Sequence, residues 1–185
     1  MVRWTCFAIA AALSGLGCAS AGTAGSDAVS GTFTLRDASG RDVGTGELSP
    51  AEGGGVRVRL NATGLTPGAH GVHVHETGAC DGSTSTPFSS AGGHHNPTAR
   101  QHGRLNPEGP HAGDLPNLTI DASGNGSLDA VTQNLTLADG AGTVFDANGS
   151  AIVIHANPDD ERTNDGPNGP GNSGSRVACG VITRR

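Results

Sequence analysis

The stretch "GTFTLRDASGRDVGTGELSPAEGGGVRVRL", residues 31–60, alternates apolar and polar side chains in separate short runs. Phe33 and Leu35 alternate with Thr32 and Thr34, and Val56, Val58 and Leu60 alternate with Arg57 and Arg59. A period of two sends successive side chains to opposite faces of a strand, so each run offers one face to a core and one to water. The interruptions "DASGRD" and "PAEGGG" are turn chemistry. Gly reaches positive φ, Pro fixes φ, and Asp and Ser bond to their own backbone. The stretch reads as strands at residues 31–35, 44–48 and 56–60, joined by turns.

Working outward, similar runs lie at residues 71–75, 118–120, 126–131, 151–155 and 176–182, with turn clusters such as "DASGNG" between most of them. About eight short strands predict an all-β fold, an eight-stranded Greek-key barrel or sandwich. The composition agrees: 31 Gly and 10 Pro, no Tyr, 4 Phe, one Trp, and every basic residue an Arg. A chain of 185 residues suits one domain with a core of its own. The net charge of −6 speaks against nucleic acid as a partner, because phosphate binding needs a basic surface. No apolar run in the body of the chain is long enough to span a bilayer.

The N-terminus has a different character. Arg3 is followed by an apolar run over residues 5–16 and then by small and polar residues, the pattern of a secretory signal peptide. Two junctions offer themselves. Ala19-Ser20-Ala21 is a cleavage site that gives a mature start at Gly22; Gly17-Cys18 is a lipoprotein junction that leaves a lipid on Cys18. The division expected is a signal over residues 1–21, a flexible linker over 22–29 and one domain over 30–185. Loss of Arg3 takes the net charge from −6 to −7. Cleavage after Ala21 also removes Cys6 and Cys18, leaving Cys80 and Cys179, and an exported protein with two cysteines is most simply read as carrying one disulfide.

Residues 76–117 and 156–175 break the strand rhythm, and loops of that length in a compact domain are usually functional or disordered. The first holds His94, His95, His102 and His111, and the second follows His155 directly, a concentration that suits loops ordered by metal. In "GVHVHETG", His73 and His75 project from one face of a strand and can grip one ion. An isolated pair of this kind is usually solvated chance. Here His155, ending the run "AIVIH", supplies a third imidazole, and an all-imidazole site suits copper. His94, His102, His111 and Asp114, at steps of eight, nine and three, make a closed tetrahedral set of the kind that holds zinc.

With these residues in view, the chain resembles the copper–zinc superoxide dismutases, specifically their exported bacterial type. "GVHVHETG" matches the family's first signature and "GNSGSRVACGVI", residues 171–182, its second; the likeness covers roughly residues 31–182. The five-residue step from His75 to Cys80 is the shorter spacing of the bacterial branch. The resemblance implies one copper held by His73, His75, His155 and a bridging His94, and one zinc held by His94, His102, His111 and Asp114. It implies a Cys80–Cys179 disulfide and a carboxylate at Asp159, with Asp160 the neighbouring alternative, that joins the copper ligand His73 to the zinc ligand His102. It makes Arg176 the docking point for the anionic substrate superoxide and His94 a proton carrier as well as a ligand.

The activity implied is disproportionation of superoxide to dioxygen and hydrogen peroxide, protecting the periplasm or cell envelope, with a homodimer as the family-level expectation. His70 is expected to be a structural hydrogen-bonder, His95 a packing residue, and the pairs Gly53-Gly54 and Gly92-Gly93 simple loop. Relatives often place lysines in the second loop to attract substrate; this chain has none, and whether Arg162 takes their place is left open by the sequence. The rival from another class is a metal store on the same barrel, but degenerate relatives of that kind lack copper ligands or the arginine, and here every such position is filled.

Overall fold

The computed structural model describes residues 1–2, 28–166 and 169–185. All but the first two residues of the expected signal segment, its junctions at Cys18 and Ala21, and most of the linker lie outside the described residues. Ten strands run in the order β1 (Gly31–Asp37), β2 (Asp42–Pro50), β3 (Val56–Ala62), β4 (Gly68–His70), β5 (Val72–His75), β6 (Leu118–Ile120), β7 (Gly126–Thr132), β8 (Ala151–His155), β9 (Arg176–Val181) and β10 (Thr183–Arg184). One eight-stranded antiparallel sheet has the order β5-β8-β9-β1-β2-β3-β7, with β10 beside β1, and β4 pairs with β6 in a separate ladder. Because β4 runs into β5 through Gly71 and β6 turns into β7, the small ladder joins the two ends of the large sheet and curls it on itself. The connections from β3 to β4 and from β7 to β8 make the Greek key. The extra strands beyond the expected eight are β4, cut off by the bend at Gly71, and the two-residue β10.

Strand alternation sets the core. β3 buries Val56, Val58, Leu60 and Ala62 and turns its arginines outward, where Arg57 meets Asp129 of β7 at 2.6 Å. On β2 the same face holds Gly46, opposite Phe33 in the β1–β2 register. A Cβ there would collide with the Phe33 ring, so a glycine that would weaken most strands makes room for the aromatic. Each fully buried Leu, Ile or Val of these faces contributes about 1.5–3 kcal/mol relative to exposure.

Two strands at one end of the large sheet depart from alternation. β5 and β8 are buried on both faces. Their inner residues Val72, Val74, Ile152 and Ile154 join the barrel core. Their outer residues lie beneath the two long loops, where Phe88 and Ala91 form a second apolar cluster with Ala151, Val153 and Cys179. A disulfide between Cys80 and Cys179, with Cα atoms 5.6 Å apart, ties the first loop to β9. Among the described residues no helix is long and apolar enough to cross a membrane.

Candidate metal centre

The outer face of β5 and β8 delivers three imidazoles. His73 lies opposite Val153 and His75 opposite Ala151, while His155 ends β8 beyond an irregularity that pairs it with Arg176 of β9. One nitrogen of each ring is already engaged: His75 Nδ1 donates to the Gly92 carbonyl at 2.9 Å, His155 Nδ1 to Gly174 at 3.1 Å, and His73 Nε2 to Asp159 Oδ2 at 2.6 Å. The other nitrogens, His73 Nδ1, His75 Nε2 and His155 Nε2, are buried with no partner among the described residues. With His94 they bring ligand atoms within 4.8 Å of one another. Buried unpaired polar atoms cost about 1–3 kcal/mol each, so their convergence calls for an ion. Burial, reinforced by the nearby His94, holds His73 and His75 well below the ordinary histidine pKa, and burial lowers His155 to about 4. All three rings are therefore neutral at neutral pH, with lone pairs free to bind.

His94 turns its Nδ1 the other way, to Asp114 Oδ1 at 3.0 Å; His102 Nδ1 and His111 Nδ1 reach the same oxygen at 3.1 and 3.4 Å. His111 Nδ1 stands 3.3 Å from His94 Nδ1. A tetrahedral ion with bonds of roughly 2.0–2.1 Å spaces its ligands roughly 3.3–3.5 Å apart, so this donor set fits zinc. Asp114 Oδ2 accepts the backbone N–H groups of Gly103 (2.9 Å) and His111 (3.0 Å). Burial would raise the Asp114 pKa, but hydrogen bonds from His102, His111 and His94 hold it far below the carboxylate range. The set of ligand atoms within 4.8 Å of one another around Asp114 is His73, His94, His102 and Asp114, without His111. His111 Nδ1 nonetheless reaches Asp114 Oδ1 at 3.4 Å, while the His73 ring stacks on His94 at 3.9 Å and its Nε2 belongs to Asp159.

Asp159 joins the clusters. Its carboxylate accepts from His73 at 2.6 Å and from His102 Nε2 at 3.0 Å. With carboxylates at both ring nitrogens, His102 is raised to about 9 despite its burial. Asn117 grips the Asp159 backbone on both sides, at 2.8 Å to its N–H and 2.8 Å to its carbonyl. Gly171 lies against the same carboxylate with φ +62°, and a Cβ there would strike Asp159. Asp160, the alternative, does other work: it accepts from Arg162 N, Thr163 N and Oγ1, and Asn172 Nδ2, folding its own loop.

Arg176 sits opposite His155, its guanidinium donating to the carbonyls of Phe88 and Gly92 at 2.5 and 2.6 Å. Both carbonyls lie on the loop that the disulfide pins, so Cys80–Cys179 also positions the arginine. His94, not His95, enters both clusters; His95 is buried behind it with its backbone bonded to Val74 and Gly113. His70 lies outside, its ring nitrogens 2.6 and 2.8 Å from the carbonyls of His155 and Thr66. The structure thus gathers His73, His75, His94, His102, His111, Asp114, His155, Asp159 and Arg176 in one region, while His70 and His95 stay outside the ligand sets and Arg162 is exposed on the loop. The Gly92-Gly93 reading needs correction: this is loop, but its carbonyl orients both His75 and Arg176. Gly92, Gly174 and Asn117 gave no signal in the sequence, because two act through backbone carbonyls and the third looks like any loop asparagine.

Comparison with known proteins agrees with this geometry. The family model "Copper/zinc superoxide dismutase (SODC)" matches residues 42–182. The Aquifex aeolicus protein named superoxide dismutase [Cu-Zn] 2 is 43% identical over 150 residues, covering 80% of this chain and 83% of that one. A superoxide dismutase-like protein of Bacillus subtilis superposes with a TM-score of 0.74 at 36% identity, over 82% of this chain and 97% of that one. The Cu/Zn superoxide dismutase of Brucella abortus gives a TM-score of 0.67 at 35% identity, over 83% and 99% of the two chains. With a matching family model across most of the barrel and both long loops, the chain belongs to the copper/zinc superoxide dismutase family.

Proposed function

We infer that this chain disproportionates superoxide, with copper held by His73, His75, His94 and His155 and zinc by His94, His102, His111 and Asp114. The orphaned nitrogens facing His94 carry the reading. When bound, copper supplies the one-electron couple that oxidises one superoxide to dioxygen and reduces a second, while redox-inert zinc fixes the bridging ring. Arg176 offers superoxide a cation beside His155, its guanidinium already oriented by two carbonyls. His94 keeps Nδ1 toward Asp114, so its other nitrogen is the one that takes up and releases a proton as peroxide forms. Two superoxide ions and two protons give one dioxygen and one hydrogen peroxide. Asp159 holds His73 and His102 in the tautomers that leave their Nδ1 atoms to the metals. Reconstitution with both metals should give superoxide turnover that the metal-free chain lacks; a fully loaded chain without turnover would point to a metal store.

The same reading places the enzyme outside the cytoplasm, in the periplasm or cell envelope, where it removes extracytoplasmic superoxide. The signal is removed after Ala21 or, in a lipoprotein, after Gly17, and residues 22–29 form a flexible linker ahead of a catalytic domain over 30–185. Intact-mass analysis of native protein distinguishes a start at Gly22 from a lipidated Cys18; retention of Met1 contradicts both. A homodimer is the assembly expected, to be read from its sedimentation.

A further inference from the structure

Glu76 follows His75 at the end of β5 and plays no part in the metal sets above. Its side chain folds back onto the loop. Glu76 Oε1 accepts the Gly93 N–H at 2.9 Å, and its own N–H donates to the Gly93 carbonyl at 3.0 Å. A Cβ on Gly92 would lie 2.6 Å from Oε1 and 2.8 Å from Cγ, so the side chain packs flat against the bare Gly92 α-carbon, at φ +73°. The Gly93 N–H and the Gly92 carbonyl belong to one rigid peptide plane. Glu76 holds one edge of that plane; His75 Nδ1 and Arg176 hold the other, at 2.9 and 2.6 Å. A carboxylate accepting from an N–H also polarises the carbonyl across the same peptide, strengthening what that carbonyl accepts.

We propose that Glu76 is a positioning residue of the copper centre, fixing through the Gly92–Gly93 peptide the orientation of both a copper ligand and the anion-docking arginine. The proposal rests on the assignment of His75 to copper and Arg176 to the substrate. Glu76→Ala frees the peptide plane to rotate, whereas Glu76→Gln keeps an oxygen acceptor for the Gly93 N–H.

The test compares both variants, loaded with copper and zinc, with the parent chain. In Glu76→Ala the Cu(II) electron paramagnetic resonance spectrum should shift, azide (a small anionic probe) should bind more weakly, and kcat/KM should fall roughly three- to tenfold at full metal content. Glu76→Gln should restore all three. In the metal-free chain, the Gly93 amide of Glu76→Ala should exchange hydrogen roughly tenfold faster or more. In an Arg176→Ile background, Glu76→Ala should weaken azide binding little further, since both act through one carbonyl. Fully loaded Glu76→Ala with parental spectrum and azide affinity overturns the proposal. If that variant takes up no copper, Glu76→Asp decides, its carboxylate being too short to reach Gly93: a parental spectrum there overturns the proposal equally. Azide affinity unchanged by Arg176→Ile would instead remove the docking role of Arg176, leaving the His75 half of the proposal to stand on the spectrum.

Discussion

Arg176 hangs from two loop carbonyls beside His155, partly buried, with no carboxylate within salt-bridge distance among the described residues. Superoxide is an anion, and the chain's net charge of −6 opposes its approach, so a fast reaction needs positive charge at the site itself. Arg176→Ile should lower kcat/KM roughly tenfold, about 1.4 kcal/mol of transition-state stabilisation, at unchanged copper content; Arg176→Lys should keep more. Added salt should slow the parent more than the Ile variant, because it screens an attraction that the variant has lost. An Ile variant at full metal content with parental turnover would make the arginine structural only. Asp114 is the hub on which three imidazoles converge, so Asp114→Ala should lose zinc while largely retaining copper, and His95→Ala should keep both. Elemental analysis decides: zinc unchanged in the first variant, or either metal lost in the second, contradicts the assignment. The histidines were legible in the sequence because few other roles put imidazoles at such spacings. The carbonyls of Gly92 and Gly174 were not, since a backbone oxygen has no letter of its own and only the folded loop aims it.

The strands were legible because alternation over five or more residues has one structural meaning, as at Val56, Val58 and Leu60. β10, at two residues, is too short to display a period, and β4, Gly68–His70, lacks the apolar–polar–apolar alternation that marks the equally short β6, so only their pairing with β1 and β6 defines them. The loops could be read as loops with metal-binding residues, but their internal order is tertiary. Arg104 meets Glu161 at 3.0 Å, and His102 N–H meets Asn164 at 2.7 Å, contacts across roughly sixty positions that no local pattern encodes. The disulfide acts on the same scale, joining residues 99 apart and holding the loop that bears the Phe88 and Gly92 carbonyls. Chain-entropy reasoning gives about 4–5 kcal/mol for a closed loop of that length. The Cys80→Ser/Cys179→Ser protein should therefore unfold at markedly lower denaturant. It should also lose kcat/KM beyond any loss of copper, as Arg176 loses its anchors. Paired unfolding curves and metal-normalised turnover test both halves, and an unshifted midpoint would mean that the second apolar cluster holds the loop unaided.

Across the whole molecule, the buried histidines on the copper side and His102 between its two carboxylates answer protons in opposite directions, and the metal-free chain should show it. Burial lowers His155 from the ordinary 6.5 to about 4, and His73 and His75 shift the same way. Between those values the unfolded chain binds protons that the native chain refuses, so native stability falls as pH drops below 6.5. His102, raised from 6.5 to about 9 between Asp114 and Asp159, does the reverse. Its contribution is complete below 6.5 and is lost as pH climbs through about 9, where the native chain must give up a proton that the unfolded chain has already released. The metal-free protein should thus be most stable near pH 6.5 and weaken on both sides. Bound zinc removes the alkaline limb: an ion on His102 Nδ1 replaces the proton, so the loss toward pH 9 should disappear. On the acid side, protons must now displace both ions from nitrogens and from Asp114, and the decline should steepen. Thermal unfolding of metal-free and copper–zinc-loaded protein from about pH 5 to about pH 9 separates these limbs. Metal-free stability that still rises from about pH 7 to about pH 9 would mean that His102 is not held as an imidazolium between its two carboxylates.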